Sequence, residues 1–132
     1  MIQILGGNVK EITRNPDFSD NFSQISENID ADTSLIILCS PNNPTGNLVN
    51  KNSLEQLLKN SDIPIVVDEA YFEFTDSTVS DLVTRYDNLI VVRTFSKAFG
   101  LAGLRVGYLI SSNNTTSLLN KVRPPNLSLI HI

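Results

Sequence analysis

The chain has 132 residues, 41% of them hydrophobic, which suits one folded domain with a sizeable core and excludes a disordered polymer. Lys+Arg number 10 against 14 Asp+Glu, a formal charge of −4, which weighs against a nucleic-acid or anionic-membrane surface but leaves room for a local cationic pocket. Cys39 is the lone cysteine, so no internal disulfide or Cys-rich metal site is expected, and it reads as a small buried hydrophobe at a strand end.

In chain order, the first thirty residues, with Val9, Ile12, Phe18, Phe22 and Ile25, suggest one strand followed by a helix or loop. SLIILCS (Ser34–Ser40) is a short, nearly continuous apolar run rich in β-branched residues. A helix follows in NKNSLEQLLKNSD, where Leu54, Leu57 and Leu58 share a face and Asn or Ser can cap the start. IPIVVDEA (Ile63–Ala70) and NLIVVRT (Asn88–Thr94) are further strands, separated by STVSDLVTRYD, a short helix with Leu82, Val83 and Tyr86 on one side. RVGYLIS (Arg105–Ser111) is a last strand, and NNTTSLLNKVR a last helix stopped by Pro124-Pro125. Apolar runs of this kind suit strands covered on both faces. Strands alternating with helices predict an α/β fold with a mostly parallel sheet, whose ligands gather at the carboxyl ends of the strands. No run approaches the ~20 residues of a membrane span, and the start carries no signal-peptide pattern, so a cytoplasmic protein that meets neither membrane nor nucleic acid is expected.

Three of these strands run directly into polar residues: SPNNPTG (Ser40–Gly46), DEAY (Asp68–Tyr71) and TFSK (Thr94–Lys97). Singly, each has a bland reading as a turn, a helix cap or a solvated lysine. At one edge of one sheet they describe a site. A lysine desolvated in an apolar cleft is a competent amine nucleophile toward an aldehyde. A carboxylate such as Asp68 can pair with a protonated pyridine nitrogen, which turns pyridoxal phosphate into an electron sink. Tyr71 and Asn43 can hydrogen-bond the oxygen of that ring. Thr94, Ser96 and Arg105 can hold its phosphate, Arg105 through a planar fork that meets two oxygens at once. Gly100 and Gly103 would let backbone approach closely. Glu69, Glu73 and Arg93 read as salt-bridging residues around the site, and Phe72, Phe74, Phe95 and Phe99 as core.

SPNNPTG, VVDEAYFEF, VVRTFSKAFGLAGLRVGY and KVRPP, in this order, resemble the fold-type-I pyridoxal-phosphate-dependent aminotransferases and, within them, the histidinol-phosphate aminotransferases. The resemblance implies that Lys97 holds the cofactor and shuttles a proton, that Asp68 partners the pyridine nitrogen, and that Tyr71 and Asn43 bind the ring oxygen. It implies phosphate contacts from Thr94, Arg105 and Ser96. It further implies transfer of an amino group between histidinol phosphate and 2-oxoglutarate, with glutamate as the counterpart, in histidine biosynthesis by a homodimer. Family members are well over twice this length, so residues 1–126 correspond to part of the large cofactor-binding domain. An upstream phosphate loop, a ring-stacking aromatic, a small-domain arginine and a tyrosine from the partner subunit have no counterpart here. After KVRPP the pattern departs: residues 127–132, LSLIHI, read as adapter-derived, which leaves His131 without a function, and Met1 can equally be internal to a longer gene. Alone, such a piece is expected to be poorly soluble and inactive, because its sheet edges are open. Other readings keep the cofactor but change the reaction, to an aromatic-amino-acid aminotransferase or a phosphothreonine-type decarboxylase. A non-catalytic nucleotide-binding module using GLAGLR as a phosphate loop is the reading from another class.

Overall fold

A computed structural model describes residues 3–122. Residues 1–2 and 123–132 lie outside it, and with them the prolines at 124 and 125, the 127–132 tail and His131. Helix α1 (Phe22–Glu27) leads to strand β1 (Ile36–Cys39), helix α2 (Lys51–Asn60), strands β2 (Ile65–Asp68), β3 (Leu89–Thr94) and β4 (Gly107–Ser111), and helix α3 (Asn113–Val122). The sheet order is β1-β2-β3-β4, with β1, β2 and β3 parallel and β4 antiparallel to β3. The α/β architecture with a mostly parallel sheet is therefore as the sequence predicts.

Local chemistry explains the elements. The Asn50 side chain caps α2 by accepting from Ser53 N at 3.0 Å, and Leu54, Leu57 and Leu58 of its apolar stripe are buried. Two expectations are corrected. Among the described residues the first thirty contain no strand: a 3-10 turn at Gln3–Leu5 and α1 stand there, joined by irregular backbone with a turn in which Phe18 N donates to Asn15 O at 2.8 Å. The stretch STVSDLVTRYD forms not an α-helix but a 3-10 turn, Ser80–Thr84, which buries Leu82 and Val83.

The two faces of the sheet differ. Register places Ile65 and Leu89 in one row, and Leu38, Val67, Val91 and Ile110 in the next on the same side. These join α2 and Val79, Leu82 and Val83 of the β2–β3 crossover in one core. The intervening residues point the other way, as period-two alternation requires. On that second face Ile37 is 52% and Leu109 43% exposed. The expected burial on both faces thus holds for the core face and only in part for the other, where Ile90 is buried while Ile37 and Leu109 are exposed.

Candidate functional site

The row Cys39, Asp68, Val92 and Leu109 crosses the open face at the carboxyl ends of the parallel strands. Here the chain leaves the sheet, and each strand hands a polar residue to the edge. Asp68 ends β2, and its carboxylate accepts from Ala70 N at 2.9 Å, which turns the backbone sharply toward Tyr71. Asn43 lies in the SPNNPTG turn, closed by Gly46 N donating to Asn42 O at 2.7 Å. From that turn Asn43 Nδ2 donates to the Tyr71 hydroxyl at 3.0 Å. The Lys97 ammonium stands 5.3 Å from the centroid of the Tyr71 ring. Asn43, Tyr71 and Lys97 come from three separate stretches of sequence, and the fold brings them together.

Thr94 ends β3 on the same face as Asp68, and its hydroxyl accepts from Ser96 N at 3.1 Å. Lys97 follows in the bend. Arg105 returns to the same edge through the loop: Thr94 is paired with Gly107, and Phe95 N donates to Val106 O at 3.2 Å. Arg105 has a left-handed backbone (φ +52°), unusual for a residue with a side chain, at the exit of the 3-10 turn Ala102–Leu104. Its guanidinium donates to Ala102 O at 3.4 Å, and no hydrogen bond joins it to Thr94 or Ser96 among the described residues. The backbone thus gathers the expected phosphate-binding residues at one edge without linking their side chains.

Four details differ from the sequence expectation. Lys97 is exposed, so the described residues do not supply the desolvating cleft inferred for it. Phe74 and Phe99 are 65% and 53% exposed rather than core, because both sit on loops beyond the strand ends. Glu73 forms no ion pair among the described residues, and its Oε2 is buried without a partner. The close-approach glycine is Gly107 rather than Gly100 or Gly103. A Cβ at Gly107 would stand 2.6 Å from Arg93 O, whereas one at Gly100 or Gly103 would meet nothing within 4 Å. Gly100 serves the turn through its positive φ of +65° instead. The sequence signal for Gly107 is a glycine inside a strand pattern.

Cys39 is half-buried at the end of β1 and in register with Asp68. Burial raises its thiol pKa, and the neighbouring Asp68 carboxylate adds to the effect. A cavity of about 780 Å3 lies elsewhere, between residues 6–14 and the outer edge of β1, and reaches the site only at Cys39.

Behind the exposed row lies a saturated one. Glu69 and Arg93 are cross-strand neighbours on the core side, and Tyr108 continues the row on β4. Glu69 is fully buried, yet its carboxylate accepts from Arg93 Nε and Nη2 at 2.9 and 2.8 Å, from Val79 N at 2.8 Å and from Thr78 Oγ1 at 2.9 Å. Arg93 also donates to Thr78 Oγ1 at 2.8 Å and stacks 3.6 Å over the Phe72 ring. Burial pulls the Arg93 pKa down, but its bonds to Tyr108 and Glu69 outweigh this and leave it raised. The salt-bridging role expected of Glu69 and Arg93 is what the structure shows. Thr78, which joins them, carries no sequence signal beyond a hydroxyl near the start of the STVSDLVTRYD stretch.

The donor set of the exposed row fits pyridoxal phosphate. A carboxylate, a hydroxyl held by an amide, an amine without a carboxylate partner among the described residues, two hydroxyls and a guanidinium share one edge. They are the chemical types that a pyridine nitrogen, a ring oxygen, an aldehyde and a phosphate require.

Comparison with known proteins agrees. The family model for aminotransferase class I and II matches residues 1–132. The chain is 49% identical over 119 residues to a histidinol-phosphate aminotransferase of Methanosarcina mazei, covering 89% of this chain and 32% of that protein. The crystal structure of the histidinol-phosphate aminotransferase from Clostridium acetobutylicum superposes with a TM-score of 0.83 at 26% identity, over 94% of this chain and 39% of that one. That of the Sinorhizobium meliloti histidinol-phosphate aminotransferase in complex with pyridoxal-5'-phosphate superposes at 0.76, also at 26% identity, over 92% and 34%. The chain spans about a third of the length of the curated relatives it matches.

Proposed function

We propose, from the premise that this chain belongs to the aminotransferase class I and II family, that it forms the cofactor-binding edge of a pyridoxal-phosphate-dependent aminotransferase acting on histidinol phosphate, with 2-oxoglutarate and glutamate as the amino-group partners. The observation that carries the reading is the cluster in which Asn43 holds the Tyr71 hydroxyl and Lys97 stands over the Tyr71 ring, at the strand edge where Asp68 ends β2. When bound, pyridoxal phosphate supplies an electron sink for charge that develops on the substrate carbon.

The chain's own residues have distinct tasks. Asp68 holds a proton on the pyridine nitrogen by placing a carboxylate beside it. Tyr71, oriented by Asn43, donates to the ring oxygen. Lys97 would hold the cofactor by its amine, and its free amine would serve as the base that accepts the proton from the substrate Cα. Thr94 and Ser96 offer hydroxyls to the phosphate, and Arg105 offers a charge-assisted fork. Residues 1–126 serve as part of the large domain, within a cytoplasmic homodimer. Among the described residues no helix is long and apolar enough to cross a membrane.

The choice of substrate is supported by the 49% identity to the Methanosarcina mazei protein. The test uses the protein that carries this chain, purified with pyridoxal phosphate, and compares turnover of histidinol phosphate with that of phenylalanine. Preference for histidinol phosphate is expected. Equal rates would overturn the substrate, and absence of any cofactor absorbance would overturn the whole reading.

A further inference from the structure

We propose that the buried Glu69–Arg93 pair is a positioning device that sets Asp68 and Thr94–Lys97 in the relative placement one cofactor requires. The inference rests on the reading that this edge holds pyridoxal phosphate.

The argument begins with chain adjacency. Glu69 directly follows Asp68, and Arg93 directly precedes Thr94, so each member of the pair is one peptide away from a site residue on a different strand. Strand alternation turns the two sets to opposite faces, so the pair cannot reach a ligand on the open face itself. It acts through the backbone. Glu69 N donates to Val92 O at 2.8 Å, extending the ladder one residue beyond β2 at the point where the chain would otherwise splay.

The geometry is more exacting than fold maintenance needs. Both Arg93 nitrogens converge on one oxygen, Glu69 Oε2, while Val79 N takes Oε1, so the carboxylate plane is fixed from two sides. Arg93 is clamped in turn between Thr78 Oγ1 and the face of Phe72, only one residue from Tyr71. A shift of the pair therefore moves Asp68 at the end of β2, and Tyr71 just beyond it, against Thr94 at the end of β3 and Lys97 in the bend that follows. An apolar pair of similar volume would fill the space without fixing that relation, since buried ion pairs are often replaceable for stability alone.

This separates positioning from support. In the protein that carries this chain, Arg93→Lys and Glu69→Gln should each weaken pyridoxal-phosphate binding by about tenfold or more and shift the pH at which the bound cofactor's visible band changes. Lysine offers no fork, so it should not rescue. The double variant Glu69→Met with Arg93→Met removes both buried charges, so it should lose less melting temperature than either single variant although Val79 N is left without its acceptor, and should keep the weakened binding and the shifted pH profile. Lys51→Ala breaks the exposed pair with Asp81 on the same crossover and should change neither. If the Met pair restores affinity and pH profile along with the melt, or if the single variants match the parent in both, the positioning role is overturned. If the parent itself shows no cofactor band, it is the underlying reading that fails, a result distinct from either.

Discussion

Two rows of residues at the ends of the same strands have opposite fates. Asp68, Thr94 and Lys97 face the open side with few protein partners, whereas Glu69 and Arg93, one residue away, face the core with every charge engaged. The difference follows from alternation alone: an apolar strand that runs into consecutive polar residues must send one toward the core and the next away from it. The inward residue persists only if it is paired, because an unpaired buried charge costs several kcal/mol. The outward residue is released from that demand and can keep donors and acceptors for a ligand. On the proposed reading, saturation goes with the scaffold and unsaturation with the candidate site.

Substitutions on the open row should hurt chemistry more than stability. Lys97→Ala has the largest expected effect: turnover falls more than about 10³-fold, read in a single-turnover assay, while the melt is unchanged because Lys97 is exposed. Asp68→Asn comes next, with a loss of about 10²-fold or more in kcat and near-normal folding, since the amide oxygen still accepts from Ala70 N. Equal losses of stability in these two variants would break the distinction between the rows.

Gly107→Ala tests the scaffold. The added methyl meets Arg93 O at 2.6 Å, so β4 must move off β3. A loss of about 1–3 kcal/mol is expected in denaturant unfolding, accompanied by weaker phosphate binding because Arg105 is displaced with the strand.

The smallest effect belongs to neither row. Lys10 hydrogen-bonds Asp30 and, with Thr33, lowers the Asp30 carboxyl pKa to about 2. A depressed acid stabilises the fold above its unfolded pKa of about 3.9, and that contribution is lost as pH falls toward about 2. Both partners are half exposed, so solvent screens the pair and the change should be slight. An NMR titration should show Asp30 moving upward in Lys10→Ala, with site residues untouched.

Much of this was legible in the sequence for physical reasons. Continuous apolar runs marked β1, β2, β3 and β4, and their polar ends marked the site, because a parallel sheet exposes its strand ends to ligands. The Leu54, Leu57, Leu58 spacing marked α2. What stayed hidden depends on distance in space. That Asn43 reaches Tyr71 is set by a turn conformation, not by a pattern. Thr78 meets Glu69 only because the crossover folds back over β2 and β3. Phe74 and Phe99 read as core from their chemistry, but their loop positions leave them exposed. Ser77–Asp87 has a helical pattern, yet forms a 3-10 turn. Val9 and Ile12 suggest a strand as apolar residues in a short segment, but strand formation needs a neighbour, which pattern alone cannot supply.

The most direct measurement traps the cofactor. The protein that carries this chain would be incubated with pyridoxal phosphate, reduced with borohydride and mapped by mass spectrometry. A pyridoxyl group on Lys97, and its loss in Lys97→Ala, is the predicted result. Modification spread over Lys51, Lys59 and Lys121 with Lys97 unmodified would contradict the assignment of the open row as the site.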